Sequence, residues 1–176
     1  MLTGMGSRGT KSGAQPAGFS PTNKMTWSDP NFCDINKTSP SMQKLGSGVI
    51  TTTHDVDCVE FEWGKIQFLS EPAVTDADRF SFGIVELSQG KGHARHNHPG
   101  SEEVIYVISG EGEQMVDDRP PVKVGPGASI YIPADVYHST VNTGGETMKL
   151  IVVYSPAGPE RLLREIPGAK VTPPAG

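Results

Sequence analysis

The sequence has little cysteine and lacks long apolar runs. Its two cysteines, Cys33 and Cys58, form no CxxC pair, so neither a disulfide framework nor a cysteine-based zinc site is expected. No segment approaches the roughly 20 apolar residues of a membrane-spanning helix, and the N-terminal stretch lacks the apolar region of a signal peptide. We therefore expect a cytoplasmic protein without a membrane partner.

Positive charge is also scarce and scattered. Fifteen Lys and Arg stand against twenty Asp and Glu, which gives a formal net charge of -5, and no run of basic residues occurs. Proteins that bind nucleic acids usually carry a basic patch or stripe. The composition therefore argues against nucleic acid as a partner.

Turn-forming residues are abundant, with 21 Gly and 15 Pro, whereas hydrophobic residues make up only 35%. This composition favours short strands joined by turns over long helices. Short β-prone runs separated by Gly, Pro, Asp or Asn predict a single all-β sandwich or barrel of antiparallel strands. The predicted strands are Val49–Thr53, Cys58–Trp63, Ile66–Leu69, Phe80–Leu87, Glu103–Ser109, Glu113–Val116, Ala128–Ile132, His138–Val141 and Met148–Tyr154.

A length of 176 residues suggests one domain with additional terminal segments. Residues 1–41 are rich in Gly, Ser, Thr and Pro without a helical or strand period, which predicts a flexible or loosely docked N-terminal arm. Residues 42–157 contain the predicted barrel. Residues 158–176 predict a short helix and a tail, because Pro159 suits the first helical turn and Gly168 lies just past a plausible helix end.

Two of the five histidines, His96 and His98, are separated by one residue. Alternate side chains leave a strand on the same face, so the two imidazoles can bind one ion. A turn at residues 99–101 then brings Glu103 back towards them on the next strand. Such a pair of histidines is often only a surface feature, but a second segment places His138 at the start of a strand after a proline-containing turn. Together the two segments indicate a metal site.

The first segment resembles the first motif of the cupin superfamily, written G-x5-H-x-H-x3,4-E-x6-G. The residues that fit it are Gly90, His96, His98, Glu103 and Gly110. The second segment resembles the second cupin motif, G-x5-P-x-G-x2-H-x3-N. The residues that fit it are Gly127, Pro133, His138 and Asn142. Asp135 stands where the family usually has glycine, and Asp can tolerate the left-handed turn expected there.

The resemblance implies a cupin-type double-stranded β-helix, a jelly-roll barrel, that holds one divalent transition metal. The ligands it implies are His96, His98, Glu103 and His138. Glu102 is the alternative carboxylate, but only Glu103 has the motif's distance to Gly110. Three imidazoles and a carboxylate suit Fe, Mn, Ni, Cu or Zn, and this donor set does not choose among them.

Cupins are commonly dimers, so we also expect a homodimer, with the segment from Trp27 to Leu45 crossing to the partner.

A metal site with open coordination positions indicates catalysis on a small organic substrate. The tyrosines near the ligands in sequence are candidate catalytic acids or bases, with packing as the alternative role. They are Tyr106, Tyr131 and Tyr137. His93 is out of phase with His96, so we expect it near the barrel mouth or in solvent.

The resemblance extends to quercetinase-like cupins and favours a non-haem dioxygenase. A redox-neutral isomerase, decarboxylase or lyase, and a non-catalytic binding protein, are the alternatives.

Overall fold

The computed structural model describes residues 42–174. The predicted arm, residues 1–41, and most of the predicted crossing segment lie outside the described residues. The strands are β1 (Gln43–Leu45), β2 (Gly48–Ile50), β3 (Cys58–Phe61), β4 (Gly64–Ser70), β5 (Ser81–Leu87), β6 (Gly92–His96), β7 (Glu102–Ser109), β8 (Gly112–Val116), β9 (Val122–Val124), β10 (Ser129–Ile132), β11 (His138–Asn142), β12 (Met148–Ser155) and β13 (Lys170–Thr172). The helices are α1 (Pro72–Thr75) and α2 (Pro159–Glu165).

Two antiparallel sheets form the barrel. One has the strand order β10-β7-β12-β5-β4-β3-β13, the other has the order β6-β11-β8-β9, and β1 pairs with β2 in a separate hairpin. In the larger sheet β12 lies between β7 and β5, so strands distant in sequence become neighbours, as in a jelly roll. The predicted all-β jelly-roll fold is confirmed.

The core lies on the inner faces of these strands. Every second side chain of β5, β7 and β12 is buried, which is the period of two that a half-buried strand requires. The largest fully buried apolar side chains are Val59, Ile66, Phe68, Leu87, Val107, Ile132 and Met148. Each such side chain stabilises the fold by about 1.5–3 kcal/mol relative to an exposed position. The core therefore holds the two sheets together around the ligand-bearing strands.

The C-terminal segment is partly as predicted. Helix α2 begins at Pro159 as expected, with Glu160 in its first turn. The tail then forms β13, which pairs with β3 and places Lys170 3.0 Å from the Glu60 carboxylate. A fully exposed strand of three residues has no apolar alternation, so the sequence does not predict it. Neither helix in residues 42–174 is long and apolar enough to cross a membrane.

Candidate metal centre

Four polar side chains converge inside the barrel. His96 ends β6, His98 follows in the next loop, Glu103 lies on β7 and His138 begins β11. One donor atom from each lies within 4.8 Å of the others. His98, Glu103 and His138 are 8%, 3% and 1% exposed. The structure therefore brings together all four residues that the resemblance implied as ligands.

A loop, rather than a strand, carries His98. We expected His96 and His98 on one strand, but β6 ends at His96. Asp135 holds the loop in place, because its N–H donates to the His98 carbonyl at 3.2 Å and its carboxylate accepts from the Gly100 N–H at 3.2 Å. The Asp135 backbone has φ +67°, the left-handed conformation expected where Asp replaces the motif glycine. This residue therefore ties the loop of the first motif to that of the second.

Backbone carbonyls fix two of the imidazoles in orientation and tautomer. Nδ1 of His96 lies 2.7 Å from the Ala94 carbonyl oxygen, and Nδ1 of His138 lies 3.0 Å from that of Val136. A carbonyl only accepts, so each Nδ1 carries the hydrogen and each neutral ring keeps its lone pair on Nε2. This arrangement is typical of metal-ligating histidines.

The contacts among the donor atoms fit a cation. Oε2 of Glu103 lies 2.8 Å from Nε2 of His138 and 3.3 Å from Nε2 of His98. All three atoms are buried, and none has a partner with hydrogen-bond geometry. With the hydrogen of His138 on Nδ1, its Nε2 lone pair faces a carboxylate oxygen. Leaving such atoms unsatisfied costs about 1–3 kcal/mol each. A divalent ion that accepts the lone pairs removes this cost, so the residues fit a bound metal.

The ionisation states of these groups suit metal binding. Burial lowers the pKa of His96 to about 3 and that of His93 to about 4. Burial raises the pKa of the Glu103 carboxyl, but its contacts with His138 and His98 outweigh this effect and hold the pKa at about 2. At neutral pH the imidazole of His96 is therefore neutral and Glu103 is an anion, which are the forms that bind a metal.

The cavity beside the donors is small and mostly apolar. Its volume is about 40 Å³, against the 10–15 Å³ or so that one water needs on the same scale. The apolar wall includes Trp63, Leu87, Ile105, Leu150, Val152 and Leu163. Only a few non-hydrogen atoms of a substrate fit beside the donors, and the surrounding wall keeps bulk water away from them.

Sequence reasoning missed Tyr154, the tyrosine that reaches the cavity. Tyr154 is 4% exposed, opposes Glu103 across the β12–β7 pair and packs 4.6 Å from the His98 ring centroid. Burial, and then the negative charge of Glu103, raise the pKa of Tyr154 well above its usual value. The signal was available, because Tyr154 continues the alternation of buried residues from Met148.

The three tyrosines predicted as acids or bases face outwards instead. Tyr106, Tyr131 and Tyr137 are 42%, 56% and 43% exposed. Tyr106 is three residues from Glu103 on a regular strand, so it points to the opposite face. The Tyr131 hydroxyl donates to Glu102 at 2.9 Å. The Tyr137 ring lies 3.8 Å below the Arg95 guanidinium. The structure does not bring any of the three to the donor cluster.

His93 points into the barrel, contrary to our expectation from its phase. Between His93 and His96, three residues of β6 advance against two residues of β11, which defines a β-bulge. Ala94 and Arg95 are both exposed, so the bulge takes up the extra residue. His93 lines the cavity, and its Nδ1 lies 3.0 Å from Nε2 of His96.

Comparison with known proteins agrees with the fold and with the motifs. A family model described as a cupin domain matches residues 83–154. Protein SchB of Streptomyces halstedii is 33% identical over 116 residues, which cover 64% of this chain and 83% of that protein. Polyketide synthase CurC of Streptomyces cyaneus is 29% identical over 104 residues, which cover 58% of this chain and 66% of that protein.

Among solved structures, the polyketide cyclase RemF from Streptomyces resistomycificus is similar to this chain. Its TM-score is 0.53 at 28% identity, and the match covers 60% of this chain and 78% of RemF. The two sequence motifs, the antiparallel jelly-roll barrel and the similarity to SchB agree with one another. This chain belongs to the cupin superfamily.

Proposed function

We propose that the chain is a metal-dependent enzyme that catalyses a redox-neutral ring closure of a small polyketide-type molecule. The observation that carries the proposal is the buried contact of 2.8 Å between Nε2 of His138 and Oε2 of Glu103, two atoms without a hydrogen-bond partner that one bound cation would satisfy. The names of CurC and RemF support the substrate class, because those proteins are described as a polyketide synthase and a polyketide cyclase.

The four donors would hold one divalent ion at the inner surface of the barrel. They are His96, His98, Glu103 and His138. When bound, such an ion supplies Lewis-acid activation of a substrate carbonyl oxygen. A polyketide chain carries carbonyl groups on alternate carbons, so a carbon flanked by two of them can attack a third and close a ring with loss of water. The substrate undergoes no net oxidation or reduction in this reaction.

The remaining cavity residues orient the donors and exclude water. The Tyr154 side chain packs on the His98 ring and opposes Glu103 across the β12–β7 pair, so it restricts the orientation of both donors. The Thr140 hydroxyl donates to Gln114 at 2.6 Å, so these two buried polar groups satisfy each other. The apolar wall lowers the local dielectric and strengthens electrostatic interactions at the reacting atoms. The volume of about 40 Å³ admits only the reacting end of a substrate.

The proposal is tested with protein purified without a metal-affinity tag and incubated anaerobically with a synthetic poly-β-ketone. We expect a cyclised product that has lost one water, a rate that oxygen does not change, and no product after chelation. Ring closure that persists in the chelated protein, or no ring closure with any divalent metal, contradicts the proposal.

A dioxygenase is the second candidate, because three imidazoles and one carboxylate also suit Fe(II). Oxygen uptake that depends on Fe(II) and on substrate would favour it over the ring closure. Turnover without oxygen but without ring formation would favour an isomerase, decarboxylase or lyase. Tight binding of the ketone without turnover, undiminished by chelation, would favour a non-catalytic binding protein.

We also propose that the protein is a homodimer. The outer face of the larger sheet exposes apolar side chains at Val104, Tyr106 and Tyr131. The strand register makes them neighbours, because Tyr131 opposes Val104 across the β10–β7 pair. A contiguous apolar patch on a sheet face is typical of a protein interface, and a second copy of the chain is the partner that we expect.

A further inference from the structure

The β-bulge in β6 directs His93 into the cavity. In a regular strand His93 and His96 would face opposite sides, but the extra residue between them lets both imidazoles point inwards. Bulges are frequent beside active sites, where they redirect a side chain at the expense of regular strand pairing. The Trp63 ring packs against His93 with centroids 5.1 Å apart. The local backbone therefore places a half-buried imidazole, that of His93, beside His96.

The hydrogen bond between these two rings uses the lone pair that a metal would need. Nδ1 of His96 donates to the Ala94 carbonyl oxygen, so its Nε2 is an acceptor. Nδ1 of His93, at 3.0 Å from that Nε2, must then be the donor. A nitrogen lone pair cannot both accept this hydrogen bond and coordinate an ion. When His96 binds a metal, the N–H of His93 needs a different acceptor.

We propose that His93 is a substrate-binding residue whose Nδ1–H donates to an oxygen atom of the molecule held at the ion. The His93 ring is half-buried and lines the cavity, and N–H groups shielded from water are nearly always hydrogen-bonded. An oxygen on the ion, such as a carbonyl or enolate oxygen of the substrate, would supply the acceptor. His93 is not in the group of four residues whose donor atoms lie within 4.8 Å of one another, so it is placed as a neighbour of the ion rather than as a ligand. The inference rests on the metal-dependent function proposed above.

The test uses Co(II)-loaded protein with acetohydroxamate as an oxygen-donor probe, followed through the visible absorption of the metal. We expect His93→Phe to bind Co(II) like the wild type but to bind acetohydroxamate about tenfold more weakly, since one hydrogen bond is lost. His93→Asn keeps an N–H near the position of Nδ1 and should restore most of the affinity. His54→Phe is the control, because His54 is exposed and should leave both affinities unchanged.

Three results would overturn the inference. If His93→Phe loses Co(II), then His93 is a ligand of the metal. If both variants keep wild-type affinity for acetohydroxamate, His93 does not touch the bound molecule. If the wild type binds no Co(II) or other divalent metal, the proposed function itself fails, and this outcome is separate from the first two. Circular dichroism of His93→Phe and His93→Asn shows that the comparison is made between folded proteins.

Discussion

At the metal centre, the nitrogen of each histidine that carries the free lone pair determines whether the ring can bind an ion. His96 and His138 each donate from Nδ1 to the carbonyl of the residue two positions earlier, Ala94 and Val136. Each ring therefore presents Nε2 to the cluster. The motif spacing identifies these histidines but does not indicate which nitrogen faces the ion, because the backbone conformation around each histidine determines that.

Tyr154 is expected to hold Glu103 in its coordinating orientation. Replacing Tyr154 with Phe removes the buried hydroxyl whose pKa the Glu103 carboxylate raises but keeps the ring that packs on His98. We expect metal affinity to fall by about tenfold, because partners of metal ligands typically contribute 10–100-fold. The measurement is a competition titration against a chelator. Tyr106→Phe, on the outer face, is the control and should match the wild type. Equal affinities for Tyr154→Phe and the wild type would contradict this role.

The depressed histidine pKa values predict acid sensitivity of the metal-free protein. His96 and His93 have folded-state pKa values of about 3 and about 4, against about 6.5 in the unfolded chain. As the pH falls below 6.5, the unfolded chain binds protons that the folded chain does not, so stability is lost down to about pH 3. Thermal unfolding of chelated protein across this range should show a falling Tm. His96→Gln should flatten the curve, and identical curves would contradict the assignment.

At the scale of elements, the alternation of side chains along a strand explains the faces of β7 but not those of β6. Alternation in β7 correctly separates Glu103 from Glu102, since the first is buried and the second is exposed. In β6 the same rule predicted that His93 faces away from His96. The bulge arises from the pairing of β6 with β11, and such pairing between distant strands is not visible in local sequence.

The turn at Asp135 provides a prediction at this scale. Asp135→Gly removes the hydrogen bond to Gly100, but glycine adopts the left-handed conformation at this position without a steric cost. We therefore expect a free energy of unfolding within about 1 kcal/mol of the wild type. Asp135→Ala loses the same hydrogen bond and keeps the strain, and should be less stable than Asp135→Gly by about 1–2 kcal/mol. Denaturant unfolding measures both. An alanine variant as stable as the glycine variant would show that the left-handed conformation carries no cost.

For the whole molecule, the sequence predicted the barrel and the ligand set better than the surroundings of the site. The two motifs specify the four donors, but Tyr154 reaches Glu103 only because β12 inserts between β7 and β5. The outward placement of Tyr106, Tyr131 and Tyr137 likewise follows from where each strand meets the core. Nearness in sequence to a ligand is therefore a poor guide to which side chain enters a jelly-roll cavity.

The proposed homodimer is a property of the whole molecule and is tested by size-exclusion chromatography with light scattering. We expect twice the mass of the chain for the wild type. Tyr106→Glu should shift the protein towards the monomer, because it places a charge in the apolar patch on the larger sheet. Val122→Glu, at an exposed position on the smaller sheet, should stay dimeric. A wild type that is monomeric at all concentrations would contradict the proposal.

One cation shared by three imidazoles and a carboxylate is the centre of the proposed function. The most direct measurement is metal content by elemental analysis of the wild type and of His138→Ala, both purified without a metal-affinity tag. His138 is 1% exposed and lies 2.8 Å from Glu103, so its removal takes away a buried donor. We predict about one divalent ion per chain for the wild type and a large loss for the variant. Equal metal content in two folded proteins would contradict the central claim.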